Sequence, residues 1–192
     1  AAAGSSAPPP SGASPPPAAL PAALPAQGGR HGRGRVVYVD GAWDMFHAGH
    51  CALLQKARAL GDYLIAGVHS DAVVNQHRGS NYPIMAMNER VLSVLGCRHV
   101  DDVLLDAPWS VTPELIATLD VAVVVRGTVH DCGEKFLADR SDHDPHAVPR
   151  DQCIHVELRS EVSLTLEEIE SRLHARRREV GAQFEAKSRR DD

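Results

Sequence analysis

Val36-Val37-Tyr38-Val39 is a β-branched and aromatic run closed by Asp40-Gly41, and it suits a strand buried on both faces. Leu53, Leu54, Ala57 and Leu60 then recur at helical spacing, with Gly61 where a C-terminal cap belongs. Residues 63–68 follow as a second apolar run. Strand, helix and strand in so short a span make a βαβ unit. Two strands joined in that way lie parallel, with a right-handed crossover between them.

The alternation continues. Met87, Val91, Val94 and Leu95 mark a second helix with Asn88 as its cap, and residues 100–105 read as a strand. Thr112-Pro113-Glu114 is a helix start: a capping hydroxyl, a proline in the first turn and an acid near the positive end of the dipole. Residues 121–125 form a fully apolar, central-strand run, and 128–150 are polar and irregular, as in a loop. Residues 153–158 read as a last strand. Thr165 and Glu168 form a capping box for a terminal helix with Leu166, Ile169, Leu173 and Val180 on one face. The fold class is α/β: a Rossmann-like central parallel sheet flanked by helices, spanning residues 35–180. The charged tail, 181–192, is expected to fray.

A chain of 192 residues has room for one such domain, and 43% hydrophobic residues can build its core. Residues 1–34 stand apart. They are Ala, Pro, Ser and Gly with eight of the thirteen prolines, and they bury too little to offset their ordering entropy. They read as a disordered arm or interdomain linker. A transit segment stays open, because the stretch has no acids and carries Arg30 and Arg33 beside Arg35. The absence of an initial Met makes a fragment the expectation.

The net charge of −5 without a single-sign field argues against nucleic-acid binding. Apolar runs are strand-sized and no signal-peptide pattern occurs, so a cytoplasmic protein without a transmembrane segment is expected. The basic residues Arg172, Arg176, Arg177, Arg178, Lys187, Arg189 and Arg190 leave peripheral contact with anionic lipid as an alternative to a solvated helix end. Cys51, Cys97, Cys132 and Cys153 form no CxxC pair, which disfavours structural zinc and a disulfide framework. His130, His143, His146 and His155 lack ligand spacing and read as a solvated loop, so no metal site is assigned.

The chemistry lies at the first strand-to-helix junction, Gly41-Ala42-Trp43-Asp44-Met45-Phe46-His47-Ala48-Gly49-His50. In an open parallel sheet, ligands bind beyond the carboxyl ends of the strands. A helix starting there presents unpaired N–H groups and a positive dipole end to phosphate. His47 and His50, three residues apart, fall on one side of the first turn and can aim donors at one polyphosphate. Gly49 lets a nucleotide approach the backbone. Such a site suits nucleotidyl transfer, in which the protein positions the reactants and stabilises charge. The bland alternative is that His47 is a helix cap and His50 a surface residue.

The junction resembles the HxGH signature (GxFDxxHxGH) of the cytidylyltransferase superfamily, with Trp43 in the aromatic slot. The resemblance narrows over Gly79-Ser80-Asn81-Tyr82-Pro83-Ile84-Met85, Asn88-Glu89-Arg90, Cys97-Arg98, Ala107-Pro108 and Val111-Thr112. These are similar to the ethanolamine-phosphate cytidylyltransferases, in particular to the second of their two tandem lobes. The resemblance implies CTP and phosphoethanolamine as substrates, Mg²⁺ travelling with the triphosphate, and a second lobe in cis or a homodimeric partner. By position it implies that His47, His50, Arg78, Arg159 and Thr165 are catalytic. Gly41, Ala42, Trp43, Asp44, Gly49, Arg126, Gly127 and Thr128 would then line the nucleotide, with Arg90 near the bound substrates.

Three departures from the pattern stand out. Arg78 stands for a lysine, and a planar fork is not a compact ammonium. Thr128 stands for an acidic or amide group. The RTxGxSTT signature becomes Arg159-Ser160-Glu161-Val162-Ser163-Leu164-Thr165-Leu166, where Val162 resists a positive φ and the two leucines cannot donate to phosphate. Thr165 is as well explained by a plain helix cap. Three readings stay open at this point: an active lobe, a degenerate lobe supporting another, and a different HxGH enzyme such as an adenylyltransferase.

Overall fold

The computed structural model describes residue 32 and residues 34–79, 81–128 and 144–191, with side chains described up to residue 180. The arm before residue 32, Cys132, His130, His143 and the tail side chains lie outside the described residues. The first βαβ unit consists of β1 (Val36–Gly41), α1 (Ala48–Arg58) and β2 (Tyr63–Val68). The two strands run parallel, in register from Val36↔Tyr63 to Gly41↔Val68. The chain continues through α2 (Asp71–Arg78), α3 (Met87–Leu95), β3 (Asp102–Leu105), α4 (Pro113–Leu119) and β4 (Val121–Gly127). After the undescribed stretch come α5 (Ala147–Asp151), β5 (His155–Leu158) and α6 (Leu166–Asp191).

All described strand pairs are parallel, and the sheet order is β3-β2-β1-β4-β5. The chain steps outward from β1 to β3 and then restarts on the other side of β1. The order therefore reverses between β1 and β4, and the crevice beyond their carboxyl ends is where such a sheet binds ligands.

The period-two pattern of a strand sorts β1 between two cores. Val37 and Val39 join Leu54, Ala57, Leu64, Ala66, Val94 and Val123 beneath α1 and α3. Val36 and Tyr38 join Ile65, Leu115, Ile116 and Val124 beneath α4. Burial on both faces explains why these strands are apolar throughout rather than alternating.

Several expectations need correction. The α3 cap is Ala86, whose N–H is held by Glu89 Oε2 at 2.8 Å, while Asn88 lies exposed inside the helix. Gly61 is not an αL cap, because α1 already ends at Ala59. A Cβ at Gly61 would come within 2.5 Å of the Arg35 carbonyl oxygen and 2.6 Å of Val37 Cγ2, so close packing requires the glycine. The helix α2 has no counterpart in the sequence pattern: it buries only Val74 and so shows no apolar stripe. Within the expected 128–150 loop, α5 forms. The tail does not leave the helix, for α6 runs to Asp191 with Glu167 and Glu168 in its first turn. Its supposed apolar face is buried only at Leu166, while Leu173 and Val180 are 55% and 37% exposed. By contrast, Thr112 caps α4 as expected, accepting from Leu115 N–H at 3.2 Å. No described helix is long and apolar enough to cross a membrane.

Candidate functional site

The turn from β1 to α1 is tightly wound. Trp43 and Met45 both hold positive φ, 57° and 45°, a conformation that costs a non-glycine residue about 1–2 kcal/mol. Side chains from the turn itself hold it there. Trp43 is 3% exposed and donates from Nε1 to the Gly67 carbonyl at 2.8 Å. Gly41 makes way for that indole, which passes 3.1 Å from where a Cβ would stand. Asp44 is wholly buried and accepts from Met45 N–H at 3.1 Å, Ile84 N–H at 2.6 Å and Met85 N–H at 2.9 Å.

The turn delivers His47 to the N-cap of α1. Its Nδ1 accepts from Gly49 N–H at 3.1 Å, and His50 Nδ1 faces the His47 N–H at 3.3 Å. The two rings stack with centroids 4.0 Å apart. Trp43 meets His50 edge-on at 5.3 Å and Phe46 stacks on it at 5.4 Å. A ring nitrogen that accepts a backbone N–H carries no proton, so both imidazoles fit the tautomer protonated at Nε2. His47 is thus a cap, in agreement with the bland alternative, while His50 is 8% exposed rather than a surface residue. Both are donors beside a helix start.

Gly49 serves the His47 ring itself. A Cβ there would lie 2.9 Å from His47 Cε1, 3.0 Å from Nδ1 and 3.4 Å from the Leu164 carbonyl oxygen. That last distance brings the segment before α6 alongside the start of α1, so two helix N-termini meet at the same place.

The remaining expected residues fall in four groups. Arg78, the last residue of α2, keeps Nη1 buried with no hydrogen-bond partner among the described residues. Arg126 and Gly127 end β4, and Gly127 leaves room for Leu53 of α1, whose Cδ2 would stand 3.1 Å from a Cβ at that position. Thr128 Oγ1 accepts from Ser160 N–H at 3.1 Å and so braces the following loop. Arg159 is exposed and Lys56 Nζ donates to its carbonyl at 3.0 Å, while Thr165 Oγ1 caps α6 through Glu168 N–H at 3.3 Å. Ala42 and Arg90 are buried at 3% and 0%, beneath the surface of the crevice.

Sequence reasoning passed over Phe46, Asp40 and Trp109. Asp40 sits at the carboxyl end of β1, with Oδ1 3.3 Å from His146 Nε2 and Oδ2 buried without a partner among the described residues. An acid closing an apolar strand was the available signal. His146 is 7% exposed against this carboxylate and 5.4 Å from His155, which overturns its assignment to a solvated loop. Burial, reinforced by the positive charges of His146, Arg150 and Arg126, holds the His155 imidazole below its ordinary value. Burial and then the Asp40 charge push the Tyr38 hydroxyl well up. Trp109 stacks on His77 at 3.9 Å and keeps a buried Nε1 without a partner among the described residues. Among the described residues no group of three His, Cys, Asp or Glu could hold a metal ion.

Residues 38–162 match the family model described as cytidylyltransferase-like. The chain is 44% identical over 158 residues to an ethanolamine-phosphate cytidylyltransferase of Dictyostelium discoideum, covering 82% of this chain and 42% of that protein. Against the protein of the same name from Arabidopsis thaliana it is 43% identical over 141 residues, covering 73% and 33%. For that of Mus musculus the figures are 39% over 158 residues, 81% and 38%. The chain therefore spans from a third to about two fifths of the length of these curated relatives.

Proposed function

The chain belongs to the cytidylyltransferase-like family, and from that premise we propose that it transfers CMP from CTP to phosphoethanolamine, as one lobe of a longer enzyme or half of a homodimer. The observation that carries the reading is the stacked His47–His50 pair at the start of α1, each Nδ1 set against a backbone N–H. The names of its relatives favour phosphoethanolamine as the acceptor. The products are CDP-ethanolamine and pyrophosphate, within phosphatidylethanolamine biosynthesis.

A phosphate oxygen of phosphoethanolamine attacks the α-phosphorus of CTP, a new P–O bond forms, and the bond to the β-phosphate breaks. Pyrophosphate carries the electron pair away. A phosphate monoester is largely a dianion near pH 7, so the nucleophile needs no general base. The protein's task is positioning and charge stabilisation. His47 and His50 donate from Nε2 to the triphosphate beside the positive end of α1. Arg78, whose Nη1 has no partner among the described residues, brings the cationic fork that a leaving pyrophosphate requires. The ammonium of the acceptor needs an anion, and Asp40 Oδ2 is a buried carboxylate oxygen without a partner among the described residues. The one carboxylate of the signature turn, Asp44, is committed to three backbone N–H groups, so Mg²⁺ is read as part of the substrate, carried by the triphosphate.

A degenerate, supporting lobe is the second reading, favoured by one group of observations. Thr128 and Thr165 spend their hydroxyls on backbone, and Leu166 is buried at the start of α6 where a phosphate donor would stand. Pyrophosphate release from CTP and phosphoethanolamine, with ATP and phosphocholine as rivals, separates the readings. Turnover with CTP that His50→Ala abolishes is expected. CTP uptake without turnover establishes the supporting lobe, and an ATP preference refutes the nucleotide assignment.

A further inference from the structure

Arg90 is 0% exposed and among the largest fully buried side chains. A guanidinium taken out of water is tolerated only where its N–H groups meet acceptors. Nε donates to the Met85 carbonyl at 3.1 Å, Nη1 to the Ala42 carbonyl, and Nη2 to the His69 carbonyl at 2.8 Å and to Asp71 Oδ1 at 2.6 Å. These acceptors lie on three separate pieces of chain. Ala42 belongs to the turn that bears the imidazoles. His69 and Asp71 open the excursion that carries α2, and Met85 lies where that excursion returns to α3.

Asp44 works on two of these three pieces, with the opposite charge. It accepts the N–H groups of Ile84 and Met85 and also that of Met45. Met85 is consequently held through its N–H by Asp44 and through its carbonyl by Arg90. The hydrophobic core has no need of this arrangement, since α3 already buries Val94 beneath it. What does need support is the turn, with Trp43 and Met45 at positive φ.

We infer that Arg90 and Asp44 are positioning residues, a clamp of paired charge. It sets the turn carrying His47 and His50 at a fixed distance from the excursion whose helix ends in Arg78. The consequence for catalysis rests on the proposed triphosphate site; the mechanical claim does not. With four of its five polar hydrogens directed at backbone or Asp71 and its side chain wholly buried, the effect of Arg90 on substrate passes through the chain segments it joins.

The test uses the 192-residue chain and two readouts, amide hydrogen exchange and CTP titration with Mg²⁺. Arg90→Lys keeps the charge but offers a point cation that cannot serve all four acceptors. Residues 42–50 and 69–86 are then expected to exchange faster together, by about tenfold or more, while β1 and β4 keep wild-type rates. CTP affinity should fall in step, by about tenfold. Asp71→Asn keeps an acceptor and removes its charge, and should shift the same two segments by a smaller factor. Should Arg90→Lys fail to fold, Asp71→Asn alone decides. Loss of affinity with unchanged exchange would make Arg90 a direct ligand contact and overturn the clamp. So would faster exchange across the whole sheet, or in one segment without the other. Failure of the unsubstituted chain to bind CTP defeats the proposed function and leaves the exchange result to decide the clamp.

Discussion

Gly49→Ala separates function from stability at the signature turn. The added Cβ would stand 2.9 Å from His47 Cε1 and 3.0 Å from Nδ1, with the Leu164 carbonyl oxygen at 3.4 Å. Backbone closes one direction, so the His47 ring must yield. Its movement breaks the 3.1 Å bond to Gly49 N–H, a helix cap worth about 1 kcal/mol. Replacing a helical glycine by alanine returns about the same amount, since alanine loses less conformational freedom on folding. The two effects offset, and net stability should stay within about 1 kcal/mol of wild type. Ligand binding has no such compensation. A ring shifted by about 1 Å forfeits its contact with phosphate, and misplacements of that size cost about a hundredfold in rate. Chemical denaturation and nucleotide titration on the same preparation measure both quantities. An alanine variant with undiminished CTP affinity would refute the argument that Gly49 exists to seat the His47 ring.

Asp40→Asn should raise KM for phosphoethanolamine by about tenfold or more, on the order of one lost charge-assisted contact, and leave the affinity for CTP near wild type. Equal losses for both substrates would remove Asp40 from ammonium recognition. Gly67→Ala places a methyl group against the Tyr38 hydroxyl and 3.0 Å from Ala107 Cβ, and should cost about 1–3 kcal/mol by overpacking, read from thermal unfolding. The lowered His155 imidazole gives a pH dependence. As pH falls through 6.5 the unfolded chain takes a proton that the folded chain resists, so stability declines below that value until the folded ring also protonates. The melting temperature of His155→Gln should change less over that acid range, and an identical profile for the two proteins would contradict the assignment.

The sheet was legible because its signals are local. Apolar runs bounded by turn residues mark β1, β2 and β4, and a proline after a threonine marks α4. The helix α2 was not legible, because one buried valine in eight residues leaves no periodicity to read. The imidazole pair could be placed from its position after a strand and a glycine. The tasks of its neighbours could not, since they depend on contacts between residues far apart in sequence. Asp44 reads as a ligand residue until its oxygens are found 40 positions away, on the N–H groups of Ile84 and Met85. Trp43 and Met45 gave no warning of their left-handed backbone, because neither residue favours it and tertiary contacts impose it. Asp40 and His146 meet across 106 positions, a pairing no local pattern could announce.

Calorimetric titration of the 192-residue chain with CTP and Mg²⁺ addresses the central claim, beside His47→Ala and His50→Ala measured in parallel. Saturable uptake at one nucleotide per chain is expected, weakened about tenfold or more by either substitution, as loss of a hydrogen bond to a charged phosphate requires. No uptake by the unsubstituted chain, or equal affinity in both variants, would contradict a triphosphate held by these two rings.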